Sequence, residues 1–240
     1  MGKRNNYITL IPTYVLLIAF FLVLVFAANR TVMVLSENKP IRNRKCVVID
    51  AGHGGVDGGA TSCSGILESH YNLEIALRLN DLMHLLGIDT VMIRTEDISV
   101  YTSGNSIAQK KISDLKERVR IINETENGIV MSIHQNYFLD NRYSGAQVFY
   151  APTDGSSSLA KNLQSAFTTH LNPGGNRQAK KADGIYLMQN ISVPGVLVEC
   201  GFLSNVKEEG LLRTPAYQKK LCCVLATVVS TYLHGKNAVA

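Results

Sequence analysis

The chain has 240 residues, 46% of them apolar and 18% charged. That is ample for one full core, and it excludes disordered, collagenous and low-complexity classes. A net charge of +5 is too weak to suggest a nucleic-acid partner, although mild basicity tolerates an anionic polymer. The five cysteines (Cys46, Cys63, Cys200, Cys222 and Cys223) contain no C-x-x-C pair, which argues against a zinc ribbon or a thioredoxin-like site. The odd count argues against a disulfide framework, so each reads as a small buried apolar residue.

Tyr7 to Ala28 is a run of 22 residues without a charge, placed behind Lys3 and Arg4. At 1.5 Å per residue it spans roughly 33 Å, enough to cross a hydrocarbon core of about 30 Å. The run is longer than an ordinary signal-peptide core. Residues 1–28 therefore read as a transmembrane anchor, with a signal segment cleaved near Val25-Phe26-Ala27 as the alternative. Arg30, Lys39, Arg42, Arg44 and Lys45 follow the segment, so the positive-inside count does not orient it. Residues 29–44 are polar, carry Pro40 and read as a linker, and residues 45–236 form the remaining domain.

Within that domain, short runs rich in Val and Ile predict strands at Cys46–Asp50, Asp89–Ile93, Ile129–Ile133, Ala146–Tyr150 and Val196–Glu199, with Gly184–Met188 as a weaker sixth. Helical spacing predicts a helix from Glu68 to Leu86, where Gly87 stops it. Further helices are expected over Ser113–Glu126, Ser158–Leu171 and Ala216–Leu233. Strands alternating with helices predict an α/β fold. The expectation is a single domain with a mostly parallel sheet of about six strands, covered by helices on both faces and preceded by one N-terminal hydrophobic helix.

Reactive groups fall where apolar strands end. His53 follows Val47-Val48-Ile49-Asp50, His134 follows Val130-Met131-Ser132-Ile133, and Glu199 follows Val196-Leu197-Val198. Ligands of open α/β sheets bind beyond the carboxyl ends of the strands, so these three should converge on one edge. Glu68 opens the first long helix at that same edge, where the positive helix terminus suits a carboxylate. Two imidazoles and a carboxylate make the donor set of a catalytic zinc site with one position left open. Glu199 then suits a general base toward water and a general acid toward a leaving amine. Each residue also has a plain structural reading, as a satisfied histidine, a helix-terminal acid or half of an ion pair, and pattern leaves both readings standing. Asp50 either orients an imidazole or stabilises a turn. His70, His84, His170 and His234 lie in helical stretches and take no role. The Gly-rich stretch from His53 to Ala60 lacks the G-K-[ST] ending and the G-x-G-x-x-G spacing of phosphate loops, and the chain has no H-E-x-x-H and no G-x-S-x-G.

Four segments carry a family resemblance: VVIDAGHGGVDGGA, ILESHYNLEIALRL, GIVMSIHQN with GAQVFY after it, and PGVLVECGFLSN. Together they resemble the zinc-dependent N-acetylmuramoyl-L-alanine amidases of the amidase-3 type, over nearly the whole domain. The resemblance implies zinc as cofactor, held by His53, Glu68 and His134, and a catalytic glutamate at Glu199. The implied reaction hydrolyses the amide between N-acetylmuramic acid and L-alanine of the peptidoglycan stem peptide. Compact size, a single N-terminal hydrophobic segment and IAQKKISDLKERVRIIN between the second and third motifs are most similar to the germination-specific, spore-cortex branch. That branch implies a hydrolase of sporulation and germination that strips the stem peptide before muramic-δ-lactam forms. It also implies an extracytoplasmic location, membrane-anchored or secreted, where cortex is built, and adds an accessory lipoprotein to the candidate partners. Tyr137 departs from the family, which often has a small residue there. The competing readings are a catalytically silent wall-binding scaffold and a zinc peptidase that cuts within the stem peptide.

Overall fold

The computed structural model describes residues 45–235. The anchor expected at 1–28 and the linker at 29–44 lie outside the described residues. Among the described residues no helix is long and apolar enough to cross a membrane.

In chain order the elements are β1 (Cys46–Ala51), α1 (Glu68–Leu85), β2 (Asp89–Met92), α2 (Ile107–Glu124), β3 (Gly128–Asn136) and β4 (Gln147–Tyr150). They continue with α3 (Ser156–His170), β5 (Lys180–Lys181), α4 (Tyr186–Asn190), β6 (Gly195–Phe202), α5 (Val206–Leu212) and α6 (Pro215–His234). The six strands form one sheet in the order β2-β1-β3-β6-β4-β5. The sheet is mixed. Strands β2, β1, β3 and β6 run parallel, while β4 pairs with β6 antiparallel and carries β5 parallel to itself. Alternate residues of β1, β3 and β6 serve two cores. Val47, Ile49, Met131, Ile133 and Val198 pack with α1, α3 and α6, whereas Val48, Val130 and Leu197 pack with Ile122 of α2 and Met188 of α4. Burial on both faces explains why these strands read as unbroken apolar runs.

Several expected boundaries move. β3 and β6 run on through their polar residues, so His134 sits inside its strand rather than after it, and Glu199 sits inside its strand rather than at its end. α2 begins at Ile107, six residues before the expected Ser113, because Ser106 and Gln109 form a reciprocal capping box. The strand expected at Gly184–Met188 is instead a turn followed by α4, which puts Leu187 and Met188 into the second core, and the sixth strand is the short edge pair Lys180–Lys181. A short apolar run of this kind fits either element by pattern. α5 was not expected, although Asn205 caps it by accepting from the Lys207 and Glu208 amides. Cys200 and Cys222 are buried as expected and Cys46 partly so, but Cys63 and Cys223 are exposed, and all five are free thiols.

Candidate active site

Strand pairing puts the site together. His134 of β3 lies opposite Glu199 of β6, and the turn after β1 returns His53 to the same edge, where the Gly52 amide donates to the Ile133 carbonyl at 3.0 Å. The loop from Gly54 to Leu67 folds back so that the Ala60 and Gly58 carbonyls accept the first amides of α1, those of Glu68 and Ser69. This satisfies a helix terminus that has no side-chain cap and lays Glu68 against both imidazoles. The expectation that His53, Glu68, His134 and Glu199 meet on one edge is the geometry observed.

Glu68 is buried and held from several directions. Its Oε1 accepts from the Gln135 amide at 3.1 Å and from Asn72 Nδ2 at 3.2 Å, and its Oε2 accepts from the Ala60 amide at 3.1 Å. His134 Nδ1 lies 3.0 Å from Oε1, and His53 Nε2 lies 3.3 Å from Oε2. Burial would raise the Glu68 carboxyl, but the His134 and His53 imidazoles outweigh it and hold the group far below the usual carboxylate range. His53 turns its other nitrogen, Nδ1, to Asp57 Oδ2 at 2.9 Å. Burial opposes its charge, yet hydrogen bonds to Asp57 and Glu68 raise the imidazole to about 9. Asp57 in turn lies 3.1 Å from Lys111 Nζ.

One ligand atom each from His53, Glu68 and His134 can be chosen so that all lie within 4.8 Å of one another, a spacing that can hold a metal ion. Donors about 2.1 Å from a tetrahedral zinc stand roughly 3.4 Å apart, which falls inside that limit. The surroundings leave room for nothing bulkier. A Cβ on Gly52 would lie 2.2 Å from His134 Nε2, and one on Gly59, itself at φ +70°, would lie 2.6 Å from Glu68 Oε2. Beside the cluster, Glu199 Oε2 is buried and, among the described residues, has no hydrogen-bond partner. A buried carboxylate oxygen left open in this way points to a ligand that completes it. Burial pushes the Glu199 carboxyl up to about 7, against the pull of the His134 imidazole and with a further push from the Glu68 carboxylate. These observations fit a zinc site with an acid–base group at its side.

Beneath the cluster are residues that the sequence did not single out. Arg94, almost fully buried, donates to the carbonyls of Ala51 at 2.8 Å, Gly52 at 3.0 Å and Ser69 at 3.0 Å. Arg118 donates to the carbonyls of Ala51 at 3.0 Å and His53 at 2.7 Å, to Asp114 at 2.6 Å, and to Asp50. His53 has φ +59°, a region that non-glycine residues rarely adopt, and these carbonyl bonds hold it there. Asp50 neither orients an imidazole nor stabilises the turn itself. It is buried beneath the site, accepting from Ser132 Oγ at 2.6 Å and pairing with Arg118. The imidazole partner is Asp57. A cavity of about 270 Å³ opens beside His53 and His134, walled by Lys111 and Leu115 of α2 and by Tyr186. Tyr137, one residue beyond β3, is half exposed.

The Amidase_3 family profile, described as N-acetylmuramoyl-L-alanine amidase, matches residues 47–230. The chain is 37% identical to the germination-specific N-acetylmuramoyl-L-alanine amidase of Bacillus subtilis, over 80% of this chain and 81% of that one. It is 26% identical to the amidase AmiA of Escherichia coli, over 80% and 77% of the two chains. Among solved structures it resembles the CwlD amidase of Clostridioides difficile, determined in complex with the GerS lipoprotein, at 36% identity and a TM-score of 0.76, covering 80% of this chain and 100% of that one. A match over most of the chain, joined to the convergent edge residues, places the protein in the Amidase_3 family of N-acetylmuramoyl-L-alanine amidases.

Proposed function

We propose that this amidase is zinc-dependent, with His53, Glu68 and His134 holding the metal and Glu199 moving the proton, and that it strips stem peptides during construction of the spore cortex. The carrying observation is the meeting of the three donor residues with the partnerless, buried Oε2 of Glu199. Zinc bound there supplies Lewis-acid polarisation of the lactyl carbonyl and a water acidic enough to attack near neutral pH. Asp57 engages Nδ1 of His53 and so leaves Nε2 for the metal. Glu199 accepts a proton from the attacking water and delivers it to the alanine nitrogen as the C–N bond breaks. Burial, which raises the Glu199 carboxyl, favours its taking up that proton.

Likeness to the germination-specific amidase and to CwlD supports the cortex role. Removing the peptide leaves a muramic acid that a deacetylase can then free at nitrogen for closure of the δ-lactam. The reading places the domain outside the cytoplasm, anchored through residues 1–28, with a lipoprotein of the GerS kind as a partner. The test is a digest of purified peptidoglycan by the full-length, zinc-loaded protein, read by mass spectrometry. Free peptides beginning at L-alanine, abolished by a chelator, are expected. Cleavage within the peptide would make the protein a peptidase instead, and zinc binding without any product would overturn the reading.

A further inference from the structure

Strand order fixes what stands on each side of Glu199. Toward the sheet centre is His134, its partner on β3, with the His53 and Glu68 cluster beyond it. Toward the other edge is Gln147, its partner on β4. Lys180 opens β5 outside β4, pairing with Phe149, and Arg177 lies three residues earlier. A groove of about 730 Å³ opens here, lined by Tyr143, Gln147, Arg177 and Lys180 among others, and no acidic residue lines it.

Arg142, Arg177 and Lys180 all line this groove, and the buried Glu208 carboxylate is near enough to feel the Arg177 charge. Among the described residues neither Arg177 nor Lys180 has an acidic partner within ion-pair distance, whereas Arg142 at the rim is paired with Asp140 at 2.7 Å. Arg177 is nevertheless held in place. Its guanidinium carbon lies 4.9 Å over the Phe202 ring, and its Nε donates to the Ser144 carbonyl at 2.9 Å. A pre-positioned guanidinium with donors to spare, beside an ammonium with no counter-ion, suits a carboxylate.

The reaction supplies one. Hydrolysis forms a C–O bond from water at the lactyl carbonyl and breaks the C–N bond to alanine, and the leaving nitrogen takes the proton that Glu199 carries. That nitrogen must therefore lie on the Glu199 side of the carbonyl. The peptide continues from it, away from the cluster and past Gln147. We infer that the groove on the β4–β5 side of Glu199 is the subsite for the peptide half of the substrate, and that Arg177 and Lys180 bind a peptide carboxylate there. The muramic acid then lies on the opposite side, toward the cavity beside Tyr186. This inference rests on the amidase reading and on Glu199 as proton donor.

The test compares two muropeptides, identical except that the peptide carboxylates are free in one and amidated in the other. The enzyme is full-length and zinc-loaded. Wild type is expected to show KM about ten-fold higher for the amidated substrate, with kcat within two-fold, as befits loss of a charge-assisted contact made in ground and transition states alike. In Arg177→Gln/Lys180→Gln the KM for the free substrate rises to match, and amidation makes no further difference. Lys180→Gln, at an exposed edge position, should close part of that gap without disturbing the fold, and Arg177→Lys should restore part of the discrimination. A purely structural role for Arg177 would leave the ratio of the two substrates unchanged. Indifference of wild type to amidation, or undiminished discrimination by the double variant, would overturn the subsite while leaving the amidase reading intact. Failure of wild type to release L-alanine peptides from either substrate would overturn both.

Discussion

On the β1 side of Glu199, the Glu68 carboxylate accepts three N–H groups, and two buried arginines hold the carbonyls of Ala51, Gly52 and His53. On the β4 side, Arg177 and Lys180 stand in an open groove bounded by loops and a strand of two residues. The first region fixes its side chains from several directions, as the proposed metal site would require, because displaced donors lose the ion. The second fixes little beyond one guanidinium, as a surface that receives a chain of variable conformation can. Rigidity is concentrated at the proposed metal cluster and relaxed in the groove inferred to take the peptide.

The largest effect should come at the boundary of the two regions. Glu199→Gln removes the proposed proton carrier without touching the proposed donor set, so turnover is expected to fall by about 10³-fold or more while zinc stays stoichiometric. Measuring metal content beside activity checks this, and a variant with near-normal turnover would remove Glu199 from the chemistry. Next is the clamp beneath His53. Arg118→Met leaves Asp50 buried beneath the site without its cation, a change expected to cost about 3–5 kcal/mol in denaturant unfolding. Burial and the Arg118 charge act oppositely on Asp50, and the net result holds its carboxyl below the ordinary value. That share of stability is present above the ordinary carboxylate pKa and is lost as pH falls through the depressed value. The Met variant should therefore also lose part of the wild-type acid transition.

A third way to sharpen the comparison uses pH in the metal-free protein. Glu199 is shifted the other way, from 4.5 up to about 7, chiefly by burial. The folded state then binds more protons than the unfolded state between those values, so stability falls as pH rises through the window. At pH 4 both Glu199 and a glutamine are neutral, and the two proteins should match. At pH 8 the wild type carries the full cost of a buried carboxylate, and Glu199→Gln should be more stable by about 3 kcal/mol. Parallel stability curves for the two proteins, measured in chelator, would show that Glu199 is not held above its ordinary pKa.

How much of this was legible in the sequence follows from where each residue gets its role. His53, His134 and Glu199 announce themselves because each follows an apolar run, and Glu68 because it opens a helix. Their convergence then follows from parallel strand order. The strand ends were not legible, because polar residues inside β3 and β6 look like termini until their pairing partners are known. Arg118 and Asp114 carry no signal within the expected helix Ser113–Glu126, because only packing turns Arg118 inward onto Asp50 and the His53 carbonyl. Asp57 lies within the first motif, but its reach to His53 depends on the loop's fold rather than on spacing. The capping residues Ser106 and Asn205 were readable and would have placed the starts of α2 and α5.

The imidazole partner gives a smaller effect. Asp57→Asn keeps the shape but removes the charge that secures Nδ1 of His53, and zinc affinity should weaken about 10–100-fold, read by competition with a chelator. Unchanged affinity would mean that the His53 loop, not Asp57, sets the ring. The contrast with the β4 side closes at Arg142. That side chain is 87% exposed and its acidic partner is Asp140, two residues away, so the ion pair ties the loop only to itself. An exposed local pair contributes little against the entropy of ordering two side chains. Arg142→Gln should leave the unfolding midpoint and zinc affinity where they were. A clear drop in either would mean that the groove wall is part of the rigid half of the site. The boundary between the two regions would then lie beyond Gln147 rather than at Glu199.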